Sequence, residues 1–257
     1  MRTLALIAGV MFMFMAAYSG TKIWSNGVVY TPYQTSYYQA SSEGLIIVPW
    51  EQNYLLEKKA DLILWADVYK TQKGELLVRP WVEYGQKKET PPSESSQNAS
   101  DSRPLLKSLL EQFPNARWVI NCDDNVQDIQ LLLSKVIEET QSQNRIILQS
   151  NYNPIMESLK ETQPLLLYGS SIADLTRLKT FDSMGLLEAA PFKGDVIVTP
   201  LTYLKRATLN AEIVREMKRR FKKVILGPLK TLDEIQKAKD LGADGLFVAD
   251  PFLILEK

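Results

Sequence analysis

Apolar residues come along this chain in short continuous runs separated by stretches with a helical stripe. That is the pattern of buried parallel strands alternating with surface helices. The clearest run is Leu62–Val68. It is followed by the turn Thr71-Gln72-Lys73-Gly74 and a second β-rich run, Leu76–Trp81, which predicts a strand, a glycine-containing turn and a hairpin partner. Ahead of it, Lys22–Val29 predicts a first strand broken by Asn26-Gly27, residues 30–43 a loop, and Asn53–Ala60 a short helix.

From Pro104 onward the two signals alternate. Pro104–Phe113 places Leu105, Leu106, Leu109 and Leu110 on one helical face, and Trp118–Cys122 is a strand. Asp124 or Asn125 caps a helix striped with Val126, Ile129, Leu132, Leu133, Val136 and Ile137. Further strands are predicted at Arg145–Gln149, Leu165–Tyr168, Asp195–Thr199, Val224–Leu226 and Gly245–Val248. Helices fall at Pro154–Glu161, at Ile172–Lys179, after a cap at Asn210 (Ile213, Val214, Met217 and Phe221 inward) and after the capping box Thr231-Leu232-Asp233-Glu234 (Leu232, Ile235 and Ala238 inward), the last ended by Gly242. Strands near residues 22, 62, 118, 145, 165, 195, 224 and 245 make eight. The expected fold is α/β, a (β/α)8 barrel with an extra β-hairpin after the second strand and an N-terminal hydrophobic helix. An open doubly wound sheet shares the pattern, since periodicity does not show closure.

The 257 residues suit one domain of that kind. With 30 basic and 30 acidic residues and no phosphate-reading motif, nucleic acid is excluded as a partner. After Arg2, Thr3–Thr21 carries no charge and Leu4–Ala17 is nearly all apolar, so residues 1–19 are a signal peptide or an N-terminal membrane anchor and residues 20–257 the barrel. The bulk of the chain is then exported, periplasmic or anchored facing away from the cytoplasm. Gly85–Arg103 is a polar, Pro- and Ser-rich insert, read as a mobile surface loop. The single cysteine, Cys122, lies in a predicted strand and reads as a buried inert thiol. There is no histidine, which removes every mechanism that needs imidazole as acid, base or ligand. Lys218-Arg219-Arg220 with Lys222-Lys223 reads as a solvated helix end or a membrane-attracted patch. Tyr30, Tyr33, Tyr37 and Tyr38 either line a lipid- or sugar-binding mouth or pack.

Ala60–Trp81 (ADLILWADVYKTQKGELLVRPW) resembles the segment ADxIELDVxxTKDGxxVVxHD of the glycerophosphodiester phosphodiesterase family. RIILQSNYNP at Arg145–Pro154, the helix and strand of Pro104–Asp123, and AKDLGADGLFVADP at Ala238–Pro251 resemble further pieces of it in the same order. The resemblance implies a barrel whose site lies at the C-terminal strand ends, where carboxylates hold a divalent metal and two histidines move protons. Carried across, the HRG that ends the first strand falls on Ser25-Asn26-Gly27. The metal-binding Glu falls on Trp65 and its Asp on Asp67, the hairpin His on Pro80, and the Glu and Lys of IEIK on Asn121 and Asp123. The resemblance thus implies a ligand site at Ser25, Asn26, Trp65, Asp67, Pro80, Asn121 and Asp123 without catalytic residues. No cofactor is expected, and Ca2+ or Mg2+ only if Asp67 and Asp123 still hold one. The expectation is an inactive phosphodiesterase-like protein at the cell envelope, binding a phospholipid headgroup, a glycerophosphodiester or a protein partner. An active enzyme with a rebuilt site and an envelope scaffold are the alternatives.

Overall fold

In the computed structural model, which describes residues 11–13, 15–16, 18–23, 27–32, 35–38, 44–81, 103–122, 124–126, 128–203 and 206–255, eight parallel strands form a nearly closed barrel with helices outside. The barrel strands are β1 (Leu45–Pro49), β2 (Ile63–Lys70), β4 (Arg117–Cys122), β5 (Ile146–Gln149), β6 (Leu167–Tyr168), β7 (Val196–Thr199), β10 (Lys223–Leu229) and β11 (Gly245–Val248). β3 (Leu76–Arg79) is the antiparallel hairpin partner of β2, in the register Asp67 opposite Arg79 and Lys70 opposite Leu76. A small ribbon, β8 (Thr202–Tyr203) with β9 (Arg206–Ala207), follows β7. Seven helices connect these elements: α1 (Leu106–Gln112), α2 (Ile129–Glu139), α3 (Asn153–Thr162), α4 (Ile172–Ser183), α5 (Ala211–Arg219), α6 (Leu232–Asp240) and the short α7 (Phe252–Leu255).

β1 pairs with both β2 and β11, which joins the first and last strands of the ring. The remaining seam, between β6 and β7, carries no ladder. It is bridged by the Asp195 N–H donating to the Tyr168 carbonyl (2.7 Å) and by the Val198 N–H donating to the Ser170 hydroxyl (3.2 Å). A buried serine thus stands in for backbone pairing and satisfies amides that closure would otherwise strand. Inside the ring, Ile47, Ile63, Trp65, Val119, Ile147, Leu167, Val198, Ile225 and Phe247 form one core. Two outer arcs pack the helices against the other faces of the strands, so every barrel strand is buried on both sides.

The first strand is not where the sequence reading put it. Lys22 and Ile23 of the expected strand Lys22–Val29 are helical and Val29 is 90 % exposed, whereas Leu45–Pro49 is buried throughout. Both stretches are β-rich, and counting either gives eight; burial on two faces selects the more continuously apolar one. In place of the helix Asn53–Ala60 a tight 3-10 segment spans Trp50–Glu57. The 85–103 insert, apart from Arg103, lies outside the described residues.

Tyr37 and Tyr38 do not line the mouth; they belong to a 3-10 turn, Ser36–Tyr38, that closes the opposite end of the barrel, its floor. Tyr37 is 1 % exposed, donates its hydroxyl to the Trp118 carbonyl (3.1 Å) and accepts at its own carbonyl from Arg117 Nη1 (2.8 Å). Burial pushes its phenol far above the ordinary range, more than the Arg117 charge draws it back. In the basic run at 218–223 Lys218 is exposed, as a solvated helix end would have it, but the rest is structural. Arg220 is buried, pairs with Glu216 (2.6 Å) and donates to the carbonyls of Leu187, Glu188 and Ala190, while Lys222 and Lys223 pair with Asp195 and Asp244. Burial raises Glu216, but hydrogen bonds from Arg219 and Arg220 outweigh it and hold the carboxyl below its ordinary value. Phe221, expected inward, is held out at φ 57°, 48 % exposed, and Leu232 is 54 % exposed. The helix expected from Asp124 or Asn125 begins at Ile129, because Asp128 (φ 63°) turns the chain there and Asp124 is engaged by Arg79. Cys122 is buried, as expected.

Candidate functional site

The strand ends at the mouth carry Pro49-Trp50-Glu51 from β1, Trp65 and Asp67 from β2, Arg79-Pro80-Trp81 from the hairpin, Asn121 from β4 and Phe247 from β11. Alternation along the strands turns Trp65, Asp67 and Asn121 to the barrel interior. At the centre the Trp65 indole lies flat on Phe247, ring centroids 4.4 Å apart and 13° from parallel, and Trp81 meets Phe247 edge-on at 5.0 Å. Gly227 lets the β10 backbone approach β11 closely beside Phe247: a Cβ there would lie 2.3 Å from the Phe247 carbonyl oxygen. Three aromatic side chains therefore occupy the axis of the barrel where it opens.

Above them, two crossed hydrogen bonds clasp the β1 exit to the hairpin. Trp50 Nε1 donates to the Arg79 carbonyl (3.1 Å), and the Trp81 N–H donates to the Glu51 carboxylate. Arg79 reaches across the Tyr69 ring (4.7 Å) to pair with Asp124 (3.2 Å). Asp67 and Asn121 are cross-strand neighbours, and Asn121 Nδ2 donates to Asp67 Oδ1 (2.9 Å). What is left between Pro49, Trp50, Glu51, Trp65, Asp67, Arg79, Pro80 and Trp81 is a shallow depression without room for an enclosed water molecule.

The structure brings together four of the expected residues: Trp65, Asp67, Pro80 and Asn121. Ser25, Asn26 and Asp123 lie outside the described residues. Moving the first strand to Leu45–Pro49 also moves the comparison with HRG, whose place at the end of that strand is taken by Pro49-Trp50-Glu51. Both positions where the resemblance requires an imidazole therefore carry proline, Pro49 and Pro80. Sequence reading missed Trp50, Glu51 and Phe247. The apolar run just before Trp50, bounded by Gly44, was the signal that would have placed the first two.

Among the described residues the lining does not suit a divalent metal. Trp65 and Phe247 fill the axis, Asn121 presents an N–H to Asp67, and no grouping of three or more Asp, Glu, Cys or His side chains suited to a metal occurs among the described residues.

No protein-family model matches the chain, and neither does any curated protein. Solved structures do. The glycerophosphoryl diester phosphodiesterase domain of a Mycobacterium tuberculosis protein superposes with a TM-score of 0.59 at 16 % identity, over 82 % of this chain and 97 % of that one. A glycerophosphodiester phosphodiesterase from Agrobacterium tumefaciens gives 0.58 at 12 % identity, over 82 % and 97 %. An Oleispira antarctica phosphodiesterase, solved with its product sn-glycerol-3-phosphate, gives 0.57 at 14 % identity, over 84 % and 95 %. The chain has the TIM-barrel fold of the glycerophosphodiester phosphodiesterases, nearly end to end.

Proposed function

We propose that this chain is a divergent member of the glycerophosphodiester phosphodiesterase family that no longer hydrolyses, and that it serves at the cell envelope as a binding barrel. The Trp65–Phe247 stack carries this reading, because an indole fills the place where the family resemblance sets a metal-binding glutamate. Pro49 and Pro80 support it: neither side chain takes up or gives a proton, whatever its surroundings. The ligand is of the glycerophosphodiester type, a phospholipid headgroup or a soluble relative, met at the rim by Trp50, Trp81 and Arg79 because the depression beneath is small. Support for that class comes from the Oleispira antarctica neighbour, which holds sn-glycerol-3-phosphate. Export or anchoring follows from the uncharged run Thr3–Thr21. Among the described residues no helix is long and apolar enough to cross a membrane.

The test is calorimetry with glycerophosphocholine and glycerol 3-phosphate, run beside a hydrolysis assay with Ca2+ or Mg2+. Binding that weakens in Arg79→Ala, with no turnover, is the expected result. One observation favours the second reading, an active enzyme with a rebuilt site: Glu51 and Asp67 line the same depression, and Glu51 Oε2 is buried without a hydrogen bond among the described residues. Turnover abolished by Asp67→Asn would establish that reading instead.

A further inference from the structure

We infer that the barrel stands floor-down on a lipid bilayer, with its mouth turned away from the membrane that the N-terminal segment enters. This rests on the anchoring reading and adds to it a direction. A parallel barrel has two unlike ends, and β1 begins at the floor, so anything that precedes β1 arrives there. The contacts follow that path. Tyr18 donates its hydroxyl to the carbonyl of Gly185 (3.2 Å), in the turn after α4, and Arg219 and Arg220, at the floor end of α5, stack on Tyr30 (5.1 and 5.7 Å). Tyr37 then plugs the floor before β1 rises.

Ahead of Tyr18, the helical residues 11–13 and 15–16 stand exposed, clear of the barrel. Met11, Phe12, Met13 and Met15 are 61, 74, 66 and 64 % exposed. Consecutive helical residues point about 100° apart, so exposure of three in a row leaves apolar surface on nearly all sides. A protein groove covers one face of a helix; hydrocarbon covers all of them, which commits the occupant to lipid. Where this helix meets the barrel, a recess of about 400 Å3 is lined by Lys22, Arg215 and Arg219 together with Asp182, Glu188 and Glu212. Charges of both signs are costly in hydrocarbon and at home among headgroups, so this recess marks the level at which the acyl region ends. Tyr18, with Lys22 over its ring at 5.9 Å, sits at that level as an aromatic and basic anchor. Phe221 and Met184, 48 and 57 % exposed at the same end, give the floor its own apolar contacts.

The experiment uses the full chain in mixed phosphatidylcholine–phosphatidylglycerol vesicles. Environment-sensitive fluorophores are placed on Phe221→Cys at the floor and Tyr152→Cys at the mouth, one at a time, and quenched with doxyl-labelled lipid. Cys122 is fully buried and leaves no competing thiol; Cys122→Ser serves as the check. The expected result is co-flotation with the vesicles, loss of most of the fluorescence at position 221 and none at 152. Flotation with quenching at 152 alone, at both positions or at neither overturns the orientation and leaves the anchor standing. Failure to float overturns both.

Discussion

Trp65 stands where the family resemblance sets a carboxylate, and its neighbours are arranged to keep it. It is 4 % exposed and stacked on Phe247, so its worth is packing. Trp65→Ala should cost about 3–5 kcal/mol of stability, by the transfer and cavity terms of a large buried side chain. It should gain no phosphodiesterase activity, and urea unfolding beside an activity assay checks both halves. At the floor, Glu216 and Arg220 are both buried and paired at 2.6 Å. Glu216→Gln leaves the guanidinium without its charge partner and should cost about 3 kcal/mol, at the low end for breaking a buried pair. The pair also sets a pH dependence. Because the folded carboxyl titrates below its unfolded value, its stabilisation is fully present above the ordinary Glu range of about 4.3 and is lost as pH falls through the lowered folded value. Asp174 acts in the same direction: burial raises it, but the Ser171 N–H and hydroxyl, Arg177 and the Lys193 N–H outweigh that. Acid denaturation curves of wild type and Glu216→Gln should therefore converge as pH falls.

Among the elements, the caps expected at Asn210 and Thr231 are in place. Asn210 Oδ1 accepts the Ile213 N–H (2.8 Å) and Thr231 Oγ1 the Glu234 N–H (3.2 Å). Thr231→Ala should destabilise by about 1 kcal/mol and Thr231→Ser by far less, read as a shift in the thermal midpoint. Glu234 completes that start differently from a capping box, accepting from the Lys230 N–H instead of from the cap residue (2.6 Å). The barrel strands from β2 onward were legible because continuous apolar runs bounded by turn residues are what burial on both faces requires, whereas the exposed β8–β9 ribbon was not foreseen. The hairpin was legible because Gly74 takes φ 78° in its turn. Three further features were not. The first strand had two β-rich candidates, and the shorter, more continuously apolar one, Leu45–Pro49, is the one that pairs with β2 and β11. Leu232 and Phe221 fit a helical stripe by spacing, yet they sit at helix ends, where the stripe runs past the packed interior. The basic run at 218–223 looked like a solvated end because carbonyl acceptors and partners such as Asp195 and Asp244 come from distant segments.

Taken as a whole the molecule is a ring plugged at both ends, by Tyr37 below and by the Trp65–Phe247–Trp81 stack above. The site was half legible. The frame around Asp67 and Pro80 identified the mouth from sequence, but the clasp of Trp50 and Glu51 onto the hairpin depended on placing β1. With no histidine in the chain, no side chain with an ordinary pKa between about 5 and 8 is present, so stability should be nearly flat across that range, measured by denaturant titration at several pH values. The central claim is that the mouth keeps a phosphodiesterase shape without its chemistry. The most direct measurement is release of glycerol 3-phosphate from glycerophosphocholine by the purified chain, with and without Ca2+ or Mg2+, at several pH values. The account predicts no release above the uncatalysed rate in any of these conditions. Metal-dependent release that disappears in Asp67→Asn would contradict it.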